Sequence, residues 1–356
     1  MTTDQQPGTP ELTGVRSEHR FDENALYTYI AEHGLVDKRL SVRQFEGGQS
    51  NPTFLLEADG RRYVLRKQPP GDILPSAHRV DREYKVMAAL ADAPGVPVPT
   101  MHLFCDDASI IGTPFYVMDY VPGQVFSDPA LPELDPEARR RVHHGLIDTM
   151  AAMHSVDVEA AGLAEFGKPA GYIERQIKLW RRQYEASTDR VDTNMTQLGD
   201  WLAEHIPADP PPAIAHGDFR IGNLLMAEDV SQVVAVLDWE LATLGHPLAD
   251  LAYACMPYYL PPDTIGIAGL EGLDLDILGI PDEAAQIARY RAARGLGPIE
   301  DWPVFVAFAL YRMAAILQGV AARAQAGNAS SENALAVGSR AGLMAERGWQ
   351  VARGYD

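Results

Sequence analysis

HGDFRIGNLL, residues 216–225, places a histidine, an aspartate and an asparagine in a stretch that otherwise reads as a turn followed by a buried strand. Leu224 and Leu225 begin the apolar strand, which has no need of the polar set ahead of it. Shortly afterwards VVAVLDWE (233–240) reads as a second short strand whose polar end falls at Asp238. A histidine-glycine-aspartate turn alone says no more than a turn with a capping acid. The two segments together, at this separation, ask for a chemical reason.

Phosphoryl transfer from a nucleotide to an alcohol supplies one. A carboxylate must accept or orient the hydroxyl proton, oxygen ligands must hold Mg²⁺ on the phosphates, and a cation must steady the nucleotide's charge. The spacing H-x-D-x-x-x-x-N matches the catalytic loop of protein kinases. On that reading Asp218 is the base and Asn223 a metal ligand. Asp238, a hard carboxylate at a strand end, is the second metal ligand, in the place of the aspartate of D-F-G.

Composition narrows the partners. Lys and Arg number 30 against 49 Asp and Glu in 356 residues, a formal charge of −19, which argues against nucleic acid and anionic membranes as partners. Such a surface suits a cationic small molecule, though simple solubility is the preferred account. Two cysteines, Cys105 and Cys255, form no disulfide framework or zinc spacing and fit a reducing cytoplasm. The polar opening MTTDQQPGTPEL has no apolar core of the kind a signal peptide needs. A hydrophobic fraction of 46% supports a substantial core.

Residues 1–18, rich in Thr, Gln and Pro, read as a disordered tail. FDENALYTYIAEHG (21–34) reads as a helix capped by Asp22 and stopped by Gly34. TFLLEA and RRYVLRK flank Asp59-Gly60, a tight-hairpin dipeptide. HRVDREYKVMAALAD has helical spacing at Val80, Tyr84, Met87 and Leu90, and strands are expected near MHLFC and PFYVMDY. After VPGQVFSDP helices dominate, the first opening with Asp135 as cap and Pro136 at its first position. Its stripe is Val142, Leu146, Met150 and Met153. Further helices are expected over 170–187 and 196–205. FVAFALYRMAAILQGVAARA (305–324) reads as a buried helix rather than a membrane span. The division expected is an N-lobe over 19–118, a hinge at 119–123 and a helical C-lobe over 124–356.

YVLRKQPPG, DREYKVM, FYVMDYVPG, HGDFRIGNLL and LDWELATLGHPLADLAY together resemble the aminoglycoside phosphotransferase-like kinases, a branch of the protein-kinase-like fold. Closer still, they resemble the phosphotransferase-type domain found fused to some acyl-CoA dehydrogenases. The likeness runs from about residue 40 to 255. It implies an α+β, bilobal fold with a β-rich N-lobe and a helical C-lobe, and an ATP-dependent transfer of phosphate to a hydroxyl of a small molecule.

The resemblance also implies roles. FEGGQSNPTF (45–54) becomes the loop over the nucleotide phosphates, with Gly47, Gly48, Ser50 and Asn51 nearest, although the same residues describe an ordinary hairpin turn. Strand YVLRK carries the phosphate-facing cation. Alternation puts Arg66 and Lys67 on opposite faces, so only one can point into the cleft. Arg66, which aligns with the lysine of protein kinases, is the choice, with Lys67 as the alternative. Glu83 is its ion-pair partner, or a residue of a solvated helix face. Met118 lies behind the adenine, with the backbone of Asp119 and Val121 at its edge. Asp250 fixes the catalytic loop, or is simply a helix N-terminal acid. Arg220 screens the transferring phosphate or ties loops together, and His216 orients the loop backbone. His143, His144 and His154 read as helix-face or loop residues. Tyr258 and Tyr259 line the acceptor site or pack a surface loop.

Trp239-Glu240 replaces Phe-Gly and no A-P-E segment follows, which argues for small-molecule rather than protein acceptors. The charge favours an amino sugar, whereas the relatives favour hydroxyacyl thioesters or other hydroxylated metabolites. The rival reading is a catalytically silent nucleotide-binding scaffold. It is disfavoured because the base and both metal ligands are present.

Overall fold

The computed structural model describes residues 12–46, 51–71, 78–190, 192–326 and 334–355. The chain divides into two compact units. One comprises Met1–Val125 with Asn223–Ala242, and the other Phe126–Gly222 with Thr243–Asp356.

The first unit is built on six strands: β1 (Leu12–Thr13), β2 (Leu40–Phe45), β3 (Thr53–Ala58), β4 (Arg61–Lys67), β5 (Met101–Cys105) and β6 (Phe115–Asp119). Their order is β1-β2-β3-β4-β6-β5, with every pair antiparallel. Asp59 and Gly60 join β3 to β4 with φ of 52° and 80°, the positive values that a two-residue turn between twisted strands requires. Helix α1 (Glu23–Glu32) starts where Asp22 Oδ1 accepts the N–H groups of Asn24 and Ala25 at 2.9 and 3.0 Å. Its buried Leu26 and Ile30 join Phe54, Leu56, Leu65, Phe115 and Val117 in one core. Helix α2 (Val80–Ala89) buries Val80, Val86, Met87 and, unusually, Glu83. Helix α3 (Ala108–Ile111) is a single turn.

The second unit is mostly helical. Strand β7 (Ala213–Ala215) pairs antiparallel with β10 (Thr243–Gly245), while β8 (Leu224–Met226) and β9 (Val233–Val236) form a hairpin within the first unit. The helices are α4 (Pro136–His154), α5 (Tyr172–Glu185), α6 (Thr193–Glu204), α7 (Pro247–Cys255), α8 (Leu275–Leu278), α9 (Glu283–Arg294), α10 (Trp302–Gln325), α11 (Ala334–Gly338) and α12 (Ala341–Tyr355). Asp135 caps α4 by accepting the Ala138 N–H at 2.8 Å, and Pro136 follows it. Helix α10 packs against α5, α6, α7 and α12. Being covered on several sides, it is apolar almost all round. It is long and apolar enough to cross a membrane, and 72% of its most apolar stretch is buried inside the protein.

Two features differ from the sequence reading. Leu12 and Thr13, inside the expected tail, pair with Phe45 and Gln44, and Ser17–His19 forms a short 3-10 helix. Backbone pairing to an existing edge holds them, and a polar composition does not reveal that. Residues 223–242, expected with the helical part, fold with the first unit. Gln124 and Met226 exchange backbone hydrogen bonds of 2.8 and 2.9 Å, and Val236 N–H donates to Pro97 O at 2.9 Å. Gly123 permits the close approach, because a Cβ there would lie 2.3 Å from Met226 O.

His143, on α4, is buried neutral. One ring nitrogen meets Pro129 O at 2.9 Å and the other the Gln286 amide at 3.4 Å. Burial pushes its pKa from 6.5 down to about 4. A histidine with a depressed folded pKa adds stability that is present above 6.5 and lost as the pH falls towards 4. The shift corresponds to about 3 kcal/mol at neutral pH. Chemical denaturation from pH 7 to 4 is expected to show a steeper loss of stability for the wild type than for His143→Gln. Parallel pH profiles would contradict the assignment.

Candidate active site

The first unit contains a pocket whose walls include Val64, Met118, Leu225 and Val236. The polar groups Arg66, Glu83, Asn223 and Asp238 also line it. Strand alternation decides which basic residue of β4 faces it. Val64 and Arg66 line the pocket, whereas Tyr63 and Leu65 join the core on the other face. Lys67 is 2% exposed, with Nζ 5.3 Å from the centre of the Phe21 ring, and burial lowers its pKa.

Arg66 is held from two sides. Its Nε lies 2.9 Å from Glu83 Oε2, and its Nη2 donates to Asp238 Oδ1 at 2.8 Å. Glu83 is buried and completes its shell with the Tyr116 hydroxyl at 2.9 Å and the Asn51 amide at 2.6 Å. Burial raises the Glu83 pKa against the pull of Arg66, and the carboxylates around Arg66 raise the guanidinium's against burial. Asn51, expected beside the phosphates, is fully buried and spends its amide on Glu83. Gly47, Gly48 and Ser50 lie outside the described residues.

Met118, Asp119 and Val121 all line the pocket. The Asp119 N–H is committed to Thr100 O at 2.9 Å, and its carboxylate meets His102 Nε2 at 2.6 Å. Asn223 is buried, and its backbone carbonyl accepts the Leu237 N–H at 2.8 Å. Asp238 occupies the left-handed region with φ 63° and ψ 58°, a conformation that costs a non-glycine residue about 1 kcal/mol or more. The next residue, Trp239, is buried and anchors the turn by donating Nε1–H to Val236 O at 2.9 Å.

Asp218 and Arg220 belong to the second unit. Strand β7 delivers the loop, and Gly217 turns it with φ 84°. Asp250, in the first turn of α7, accepts the N–H groups of His216 and Gly217 at 2.6 and 3.0 Å. Asp218 N–H in turn donates to His216 Nδ1 at 3.2 Å. Behind Asp250 stands His154, 3.4 Å away through Nε2, with its Nδ1 2.7 Å from the Tyr290 hydroxyl. Burial, the largest influence on Asp250, favours its neutral form. Hydrogen bonds and charges from His154 and His216 outweigh it and leave the pKa below the usual carboxylate value.

Two contributors escaped the sequence reading. The Tyr253 hydroxyl donates to Asp218 Oδ1 at 2.6 Å. The signal available was its spacing three residues after Asp250, which puts both on one face of a helix. His154 had no such signal, since its partners lie 96 and 136 residues away. Arg220 is half-exposed, and its Nε is 3.5 Å from Asp218 Oδ2. Tyr258 and Tyr259 bond to Pro281 O and Glu283 within the second unit, which is packing.

The family described as phosphotransferase enzymes matches residues 41–305. Acyl-CoA dehydrogenase family member 10 of Mus musculus is 42% identical over 349 residues, spanning 97% of this chain but only 32% of the mouse protein. A crystal structure from Ralstonia eutropha, provisionally named an aminoglycoside phosphotransferase, is 43% identical. It has a TM-score of 0.86, covering 94% of this chain and 99% of its own. Aminoglycoside phosphotransferase APH(4)-Ia, in ternary complex with AMP-PNP and hygromycin B, shares the fold at 17% identity. Its TM-score is 0.59 over 91% of this chain and 99% of its own. These likenesses identify the fold as protein-kinase-like, α+β, with a β-sheet part and a helical part.

Asp250→Asn removes the charge that holds two loop N–H groups and faces His154. It is expected to lower unfolding stability by about 2–4 kcal/mol and to speed amide exchange at His216 and Gly217. Unchanged protection of those two amides would contradict the role given to Asp250.

Proposed function

Because the chain belongs to the phosphotransferase enzyme family over residues 41–305, we propose that it is an ATP-dependent O-phosphotransferase acting on a small hydroxylated molecule in the cytoplasm. One observation carries this reading. In the first unit a fixed guanidinium, an amide and a carboxylate line the same pocket as apolar side chains suited to a base. The chain spans about a third of the mouse relative's length, so activities of the longer protein are not carried over.

Within the proposal, Val64, Met118 and Leu225 flank the adenine, and Arg66 steadies the charge of the phosphates while Glu83 keeps it in place. Asn223 and Asp238 would hold Mg²⁺. They offer hard oxygen donors, and magnesium takes few protein ligands, filling its remaining positions with phosphate oxygens and water. Bound there, Mg²⁺ neutralises charge on the phosphates. Asp218 is assigned as the base, with Oδ1 held by the Tyr253 hydroxyl and Oδ2 beside Arg220. The hydroxyl oxygen bonds to the γ-phosphorus as the bridging P–O bond breaks and ADP departs. Asp218 takes the proton. Arg220, beside that carboxylate, is assigned to the transferring phosphate's charge.

With Mg²⁺ and ATP across a panel of hydroxylated compounds, ADP release is expected for the wild type. Asp218→Asn should keep ATP affinity within about twofold while turnover falls by about 10²–10⁴. Equal turnover in the variant would remove Asp218 from the reaction. No ADP release with any compound would favour the silent scaffold.

A further inference from the structure

Helix α10 buries a charge that the protein leaves without a counter-charge. Arg312 stands between Tyr311 and Met313 on this apolar helix at 7% exposure. A guanidinium carries five N–H donors and has no neutral form in proteins. Among the described residues Arg312 donates no hydrogen bond and faces no carboxylate within ion-pair distance, and its Nε is sealed without a partner. Its neighbours are aromatic faces. Cζ lies 5.5 Å from the centre of the Trp180 ring and 5.3 Å from that of Tyr253. The treatment of Arg66 in the other unit is opposite, with a carboxylate on each side.

Ring contacts attract a cation but satisfy none of its N–H donors. A buried guanidinium whose donors are unmatched is costly, and an anion that supplied the missing acceptors would gain charge-assisted, bidentate hydrogen bonds. The neighbouring Tyr253 connects this cation to the proposed base. Tyr253, whose ring lies against Arg312, is the residue whose hydroxyl holds the Asp218 carboxylate at 2.6 Å. One aromatic side chain therefore touches both the unpaired cation and the proposed base.

We infer that Arg312 is a specificity-determining residue that binds an anionic group of the acceptor, so that the protein selects alcohols carrying negatively charged oxygens and rejects polycationic sugars. The shared chemistry is that of a carboxylate or a phosphate monoester, either of which offers paired oxygens to the guanidinium. The inference rests on the phosphotransferase reading for the word acceptor, but anion binding at Arg312 can be measured without transfer.

Two measurements on the full chain test it, with lactate, glycerol phosphate, methyl lactate and hygromycin B as probes. Thermal unfolding without nucleotide is expected to rise with lactate or glycerol phosphate, whichever source of anionic oxygens fits, and not with methyl lactate or hygromycin B. In Arg312→Met that protection disappears. The variant itself unfolds no lower than the wild type, because it loses an unpaired buried charge rather than a structural ion pair. With Mg²⁺ and ATP, KM for the protecting anion is expected to rise at least tenfold in Arg312→Met and to be partly restored in Arg312→Lys, with kcat changed less than KM.

Protection by an anion that depends on Arg312, without ADP release, supports the anion site and overturns transfer. ADP release with hygromycin B or methyl lactate, without anion protection, overturns the anion site and leaves transfer standing. A large loss of stability in Arg312→Met, with protection by anions retained, also overturns it.

Discussion

The guanidinium of Arg66 is a charge the first unit can bury only in company. A cation of this size taken out of water alone costs several kcal/mol, and a pair of carboxylates offsets that only when geometry and hydrogen bonds are good. Glu83 and Asp238 provide the two sides, and each is tied down in turn. Glu83 is fixed by Tyr116 from β6 and Asn51 from the chain before β3. Asp238 is fixed by a left-handed backbone conformation and by Trp239 locked to Val236. The interaction thus joins β4, α2 and the β8–β9 segment, and explains why a stretch remote in sequence folds with this sheet. Much of what lines the pocket is placed by satisfying one buried charge.

The second unit solves a related problem with backbone rather than side chain. A tight turn through Gly217 leaves N–H groups pointing inward, and Asp250 gathers two of them. His154 and Tyr290 back the carboxylate. The loop that carries Asp218 is then fixed at its start by Asp250 and at the Asp218 carboxylate by Tyr253, one helical turn along α7. Arg312 differs from both arrangements, since its charge is surrounded by aromatic rings rather than acceptors.

Much of this was legible in the sequence. Asp22 and Asp135 announced their helices because a capping side chain acts on residues two or three positions away. Asp59-Gly60 announced its turn through the φ values it tolerates. Strand alternation separated Arg66 from Lys67 because the period is two. The apolar helix carrying Arg312 was recognised as buried. What stayed hidden depends on pairings over long stretches of chain. Besides the Arg66–Asp238 pair, the association of 223–242 with the first unit uses backbone bonds to Pro97 and Gln124, which leave no trace in side-chain identity. The inward turn of Asn51, the backing of Asp250 by His154 and the grip of Tyr253 on Asp218 are likewise tertiary.

The proposed metal–nucleotide site beside Arg66 would have Asn223 and Asp238 supply oxygens to a divalent ion carried by the phosphates. Calorimetric titration of ATP into the full chain, once with saturating Mg²⁺ and once with a chelator, addresses it most directly. ATP binding at one site per chain, tightened at least tenfold by the metal, is the expected result. No binding under either condition, or equal affinity in both, would contradict it.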